Sequence, residues 1–125
     1  MDCPFCEMPV ERIEYDLDLM YCIYDSHPVT EGHMLVIPKR HISDIFEEIG
    51  CANDMYDFFA MVRMCQDHLR SKDPTIEGFN IGINCGEIAG QTVEHAHVHV
   101  IPRRVGDVED PTGGVRNIIP GKGRY

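Results

Sequence analysis

Tryptophan is absent from this chain of 125 residues, and positive charge is scarce: 11 Lys and Arg against 21 Asp and Glu, a net charge of −10. So acidic a chain lacks the basic face that a nucleic-acid polymer requires. Long apolar runs are missing too. Those near residues 34–37 and 58–62 fall far short of a membrane span, so no membrane partner is expected. Met1-Asp2-Cys3-Pro4 carries neither the basic nor the apolar region of an export signal. Repeats and low-complexity stretches are also lacking. These absences point to a soluble, cytoplasmic protein whose six cysteines are reduced.

What is present describes one globular domain: 14.2 kDa and 43% apolar residues. Residues 1–101 hold 6 basic and 18 acidic side chains, and residues 102–125 hold 5 and 3. Arg103, Arg104, Arg116, Lys122 and Arg124 read as a solvated tail offsetting an acidic body. Residues 17–24 (LDLMYCIY) predict a strand, broken by Asp25-Ser26-His27-Pro28. Residues 33–38 (HMLVIP) predict a buried strand, and residues 42–49 a helical turn or two. Residues 52–70 predict a long helix, with Met55, Phe58, Phe59, Val62, Cys65 and Leu69 on one apolar face. Residues 79–85 (FNIGINC) alternate as a strand, as do residues 93–102. Cys22, Cys51, Cys65 and Cys85 read as small core residues. A turn-rich tail, residues 106–125, follows a domain of residues 1–105. The expected class is α+β, with one long helix covering a mostly antiparallel sheet.

Residues 95–99 carry the chemistry. On a strand, His95, His97 and His99 share one face while Ala96, Val98 and Val100 take the other. Burying three imidazoles is costly unless each has a partner, so a purely structural row is disfavoured. Two chemistries use such a row: metal binding by neutral imidazole, and nucleophilic attack by one histidine oriented by its neighbours. Asn84, Gly90, Gln91 and Thr92 lie just upstream. Their amides and hydroxyl can hydrogen-bond phosphate oxygens without adding charge, and glycine permits close backbone approach. Cys3-Pro4-Phe5-Cys6 is a CxxC pair, which cannot by itself supply four metal ligands. His27, in a turn, and His68, on the polar side of the long helix, attract no role.

The run Gly90-Gln91-Thr92-Val93-Glu94-His95-Ala96-His97-Val98-His99-Val100-Ile101-Pro102-Arg103 resembles the signature of the histidine triad (HIT) family of nucleotide hydrolases and transferases. Residues 32–42 (GHMLVIPKRHI) resemble the family's other common segment. The resemblance implies a HIT-like fold of about five antiparallel strands under one long helix, dimerising as a homodimer. It implies that His97 attacks the α-phosphate of an AMP-type purine nucleotide, giving a covalent nucleotidyl-histidine that water hydrolyses. His99 and His33 would assist at the phosphate. Asp25 would accept from the ribose hydroxyls, and Asn84, Gly90, Gln91 and Thr92 would contact the phosphate. Cys3, Cys6, His41 and His95 would hold a structural zinc; nothing in the sequence supports magnesium. Substrates would be nucleoside phosphoramidates or dinucleoside polyphosphates, with Val105-Gly106-Asp107 leaning toward the latter. The alternatives are a nucleotidyltransferase or phosphorylase sharing the intermediate, a nonenzymatic nucleotide-binding adaptor, or a metalloenzyme holding a catalytic metal on His95, His97 and His99.

Overall fold

A computed structural model describes residues 2–48 and 52–125. Five strands form one antiparallel sheet: β1 (Ile13–Asp16), β2 (Met20–Tyr24), β3 (Met34–Pro38), β4 (Gly78–Ile83) and β5 (Val98–Arg103), in the order β1-β2-β3-β5-β4. Two helices, α1 (Ile45–Glu48) and α2 (Ala52–Lys72), lie between β3 and β4. β3 is central and buried along its whole length, which is why its sequence is nearly continuous in apolar residues.

The sheet buries both faces. On one, Met20, Cys22, Met34, Val36, Val98 and Val100 pack against Met61, Val62, Cys65 and Leu69 of α2. On the other, Tyr21, Ile23, Leu35 and Ile37 pack with Ile13 of β1 and are covered by Phe5 and Met8 of the N-terminal arm. The N-terminal arm thus does for the second face what α2 does for the first. The Tyr21 hydroxyl secures the arm, donating to the Phe5 carbonyl at 2.5 Å.

Several expectations need correction. The strand predicted over residues 17–24 is confined to Met20–Tyr24, and a strand the sequence did not suggest, Ile13–Asp16, pairs with it antiparallel. Only part of the predicted helical face is core. Met55 and Phe59 are 54% and 67% exposed, because the stripe meeting the sheet runs through Phe58, Met61, Val62, Cys65 and Leu69. Met55 and Phe59 sit on its flank beside Phe46. Cys22 and Cys65 are buried, whereas Cys85 lies beyond the end of β4 and is exposed. Cys51 and the end of the predicted 42–49 turn fall outside the described residues. His68 is half-buried rather than solvated: the Tyr15 and Tyr24 hydroxyls meet its Nδ1 and Nε2 at 2.8 and 2.7 Å. Every arginine of the tail is engaged. Arg103 grips Asp107, Arg104 bonds Asp73 and the Glu31 carbonyl, Arg116 donates to the Lys122 carbonyl, and Arg124 pairs with Asp110.

Candidate active site

β5 begins at Val98, so His95 and His97 precede the strand and only His99 lies within it. The alternation survives: Ala96, Val98 and Val100 all enter the core under α2. The three imidazoles nevertheless do not form one row. The His97 and His99 rings pack 5.2 Å apart, while His95 pairs with His41 at 5.0 Å. The ring of Phe5 contacts both His95 and His97, at 5.8 and 5.1 Å.

The hydrogen-bond partners assign each ring its tautomer. His97 Nδ1–H donates to the His95 carbonyl at 2.9 Å, a tautomer whose lone pair is on Nε2. His95 Nε2–H donates to the Pro38 carbonyl at 2.7 Å, freeing its Nδ1. The Val29 N–H donates to His33 Nδ1 at 3.1 Å, so the His33 proton sits on Nε2, which donates to His99 Nδ1 at 2.9 Å. His99 Nε2 is therefore an N–H donor. Burial favours the neutral form of His33, against the pull of Asp25. It lowers His99 further, to about 4, helped by the neighbouring His97 and His33.

His97, His99, His33, Asp25 and Thr92 line one cleft of 420 Å³, with Phe5, Met8, Arg12, Ile23 and Leu35. Strand register explains its shape. Ile13, Ile23, Leu35, His99 and Gly82 are direct partners across β1, β2, β3, β5 and β4, so they form one line on one face. From His99 the apolar floor crosses Leu35 and Ile23. Arg12 lies at its far end, about 14 Å away at three strand spacings, with its guanidinium donating to the Tyr24 carbonyl. Asp25 flanks the line, its carboxylate 3.5 Å from His33 Nε2.

The other sequence candidates are placed differently. Gln91 braces its own loop: Oε1 accepts from the Gly86 N–H, and Nε2 donates to the carbonyls of Ser43 and Val93. Gly90 has φ +97°, a left-handed conformation that glycine adopts without strain, and closes the short turn behind Thr92. Asn84 sits in a second groove, on the far side of His99. Phe5, Arg12 and the Val29 N–H were not visible as site groups in the sequence. Their sole signal is register and proximity, which only the fold supplies.

Cys3, Cys6, His41 and His95 bring their donor atoms within 4.8 Å of one another. Cys6 Sγ lies 3.2 Å from His41 Nδ1, Cys3 Sγ 3.4 Å from His95 Nδ1, and the two Nδ1 atoms 3.2 Å apart. A tetrahedral zinc with bonds of about 2.05 Å to nitrogen and about 2.3 Å to sulfur sets N···N near about 3.3 Å and N···S near about 3.6 Å. The donor set and its spacing fit that ion. The Pro38 carbonyl fixes the tautomer that a ligating His95 Nδ1 needs. Asp25, His33 and His99 also converge within 4.8 Å. There the Val29 N–H holds the proton on His33 Nε2, so that nitrogen has no lone pair for a metal.

Fold, triad and cleft together define a histidine triad protein, and comparison with known proteins agrees. The HIT domain family model matches residues 9–106. The chain is 35% identical over 107 residues to a bis(5'-nucleosyl)-tetraphosphatase (asymmetrical) of Schizosaccharomyces pombe, covering 85% of this chain and 57% of that protein. It is 33% identical over 127 residues to an AP-4-A phosphorylase of Mycobacterium tuberculosis, covering 94% and 62%. It thus spans less than two thirds of the length of either relative. A zinc-bound histidine triad family protein of Mycobacterium smegmatis superposes with a TM-score of 0.73 at 36% identity, covering 86% of this chain and 78% of that one. The chain belongs to the HIT family.

Proposed function

We propose that this protein is a nucleotide hydrolase that cleaves at the α-phosphate of purine nucleoside phosphoramidates or dinucleoside polyphosphates through a covalent nucleotidyl-His97. The observation that carries this reading is the His97 Nδ1–H bond to the His95 carbonyl. It orients the ring with Nδ1 as the donor and leaves Nε2 as the nitrogen to meet phosphorus, in a cleft of 420 Å³.

The nucleoside lies on the Leu35–Ile23 floor, and Asp25 accepts from the ribose hydroxyls. The phosphate rests between His97 and His99, where His99 Nε2–H and Thr92 donate to its oxygens and meet the charge developing in the transition state. Gly90 and Gln91 shape the loop presenting Thr92, and Asn84 approaches from beyond His99. The His97 Nε2 lone pair forms a bond to phosphorus. The bond to the leaving oxygen or nitrogen breaks, its electron pair departing with that atom, which takes a proton from solvent. Water then attacks phosphorus, the N–P pair returns to Nε2, and the water proton is released. The products are a nucleoside monophosphate and the free leaving group.

Cys3, Cys6, His41 and His95 would hold zinc, which when bound supplies a structural clasp between the arm and the histidine segment. On this reading residues 1–105 form the HIT domain and residues 106–125 an appended tail. The protein is cytoplasmic and works as a homodimer; β4, a six-residue strand at the edge of the sheet among the described residues, offers the pairing surface. Among the described residues no helix is long and apolar enough to cross a membrane. The phosphorylase relative supports a second reading, in which inorganic phosphate replaces water after the same intermediate.

Rapid acid-free quenching with labelled adenosine phosphoramidate tests the proposal. It should trap adenylylated protein, labelled on His97. His97→Asn should lower turnover by a factor on the order of 10⁴ while AMP still binds. Persistent turnover in that variant would remove His97 as nucleophile. Binding of AMP without turnover by the native protein would favour an adaptor.

A further inference from the structure

Arg12 has no counterion, in a chain short of positive charge. Among the described residues, five other arginines pair with aspartates and two lie over aromatic rings. Arg12 has a single polar partner, the Tyr24 carbonyl, to which one terminal N–H donates at 3.0 Å. The side chain is half-buried, and no other lysine or arginine is among the described residues lining the nucleotide cleft. The cleft's one permanent cation therefore keeps most of its N–H donors without a protein partner.

This cation does not sit where the reaction takes place. Arg12 immediately precedes β1, whose Ile13 pairs with Ile23 of β2, whereas His99 lies beyond β3 on β5. The phosphate rests at the histidines, Asp25 takes the sugar, and the guanidinium stands at the end left for the base. There Ile23 and Leu35 form the floor, and Phe5 and Met8 of the arm cover it. Such a slot suits the apolar faces of a planar ring, while the polar atoms on the ring's edge need partners of their own. Arg12 supplies donors to that edge and no acceptor. Guanine and hypoxanthine offer O6 and N7, two adjacent acceptors that match a guanidinium fork; adenine sets an N6 amino donor in place of O6. A phosphate on the ribose is the other anion that could meet a free arginine, but the Asp25 carboxylate beside the sugar would repel it.

We infer that Arg12 is a specificity-determining residue that reads the base, selecting 6-oxopurines over adenine by donating to O6 and N7. The inference rests on the nucleotide placement proposed above and narrows its purine. It departs from the AMP-type substrate that the sequence resemblance implies.

The test measures binding of GMP, IMP and AMP by calorimetry, and kcat/KM for the 5'-phosphoramidates of guanosine, inosine and adenosine, in the native protein, Arg12→Met and Arg12→Lys. The native protein should prefer GMP and IMP over AMP by about tenfold, within the range of one paired arginine contact to a base. In Arg12→Met the apolar stem stays and the donors go, so the preference should vanish through a higher KM for the two 6-oxopurines, with kcat and AMP binding kept. Arg12→Lys retains the charge without the planar fork and should restore only part of the preference. An equal loss for all three bases would mean that Arg12 serves only to hold the Tyr24 carbonyl, and overturns the inference. So does IMP behaving like AMP, or tighter binding of adenosine 2',5'-bisphosphate than of GMP, which would put a ribose phosphate on Arg12. If Arg12→Met fails to fold, Arg12→Lys and the native preference decide. Base preference in binding with no turnover removes the nucleotidyl-His97 reading and leaves the role of Arg12 standing; turnover with no base preference removes the role of Arg12 alone.

Discussion

Lowering the pH from 7 to 4 should cost the folded protein about 3 kcal/mol through His99 alone. The ring is neutral in the native state because burial, and then the adjacent His97 and His33, bring its pKa down to about 4. In the unfolded chain it returns to an ordinary histidine value of about 6.5. Between these values the unfolded state binds a proton that the native state refuses, so stability falls as pH falls. The slope reaches about 1.4 kcal/mol per pH unit, and the loss nears completion as pH drops through the native pKa. His33, lowered by burial, adds in the same direction. The assay is guanidinium unfolding at intervals from pH 8 to pH 4, on the native chain and on His99→Gln. The glutamine variant lacks this titration while sharing every other carboxylate, thiol and histidine, so the two curves should converge toward acid by about 3 kcal/mol. Parallel curves would refute the account, because His99 would then titrate alike in both states.

Three further outcomes follow from the packing and the cysteine cluster. Cys6→Ser removes one of four converging donors, so bound zinc measured by atomic absorption should fall well below one per chain, with a lower melting temperature. Met61→Ala empties a fully buried position between α2 and the sheet and should cost about 2–5 kcal/mol in denaturant unfolding; a loss below about 1 kcal/mol would mean the site collapses on itself. Gln91→Leu takes away the brace between Gly86, Ser43 and Val93. It should speed amide hydrogen exchange across residues 84–93 severalfold, and unchanged exchange would show that the loop holds itself.

The chemistry was more legible in the sequence than the walls around it. Three imidazoles at alternate positions are costly to bury, so residues 95–99 declared a function before any fold was known. The helix was clear as well. Its periodicity nevertheless marked a face wider than the core stripe, because an i, i+3, i+4 pattern cannot tell Met61 and Cys65, which meet the sheet, from Met55 and Phe59 on the flank. β1 escaped because Ile13–Asp16 is short and alternates with Glu14 and Asp16 on its outer side. Gln91 read as a phosphate contact because nothing local shows that its partner Ser43 lies 48 residues away. The second groove beyond His99 was invisible for the same reason: Gly82, Ile101 and Ile118 are ordinary residues until β4, β5 and the 3-10 turn Gly114–Ile118 meet.

Phe5 stands between Cys3 and Cys6, and its ring rests on both His95 and His97. Whatever grips the two thiols therefore also sets the position of one wall of the cleft. Releasing that grip would loosen this wall and also free His95, whose carbonyl tethers the His97 ring. Scarcity of the ion would then register both as a weaker hold on substrate and as slower bond cleavage in the bound complex.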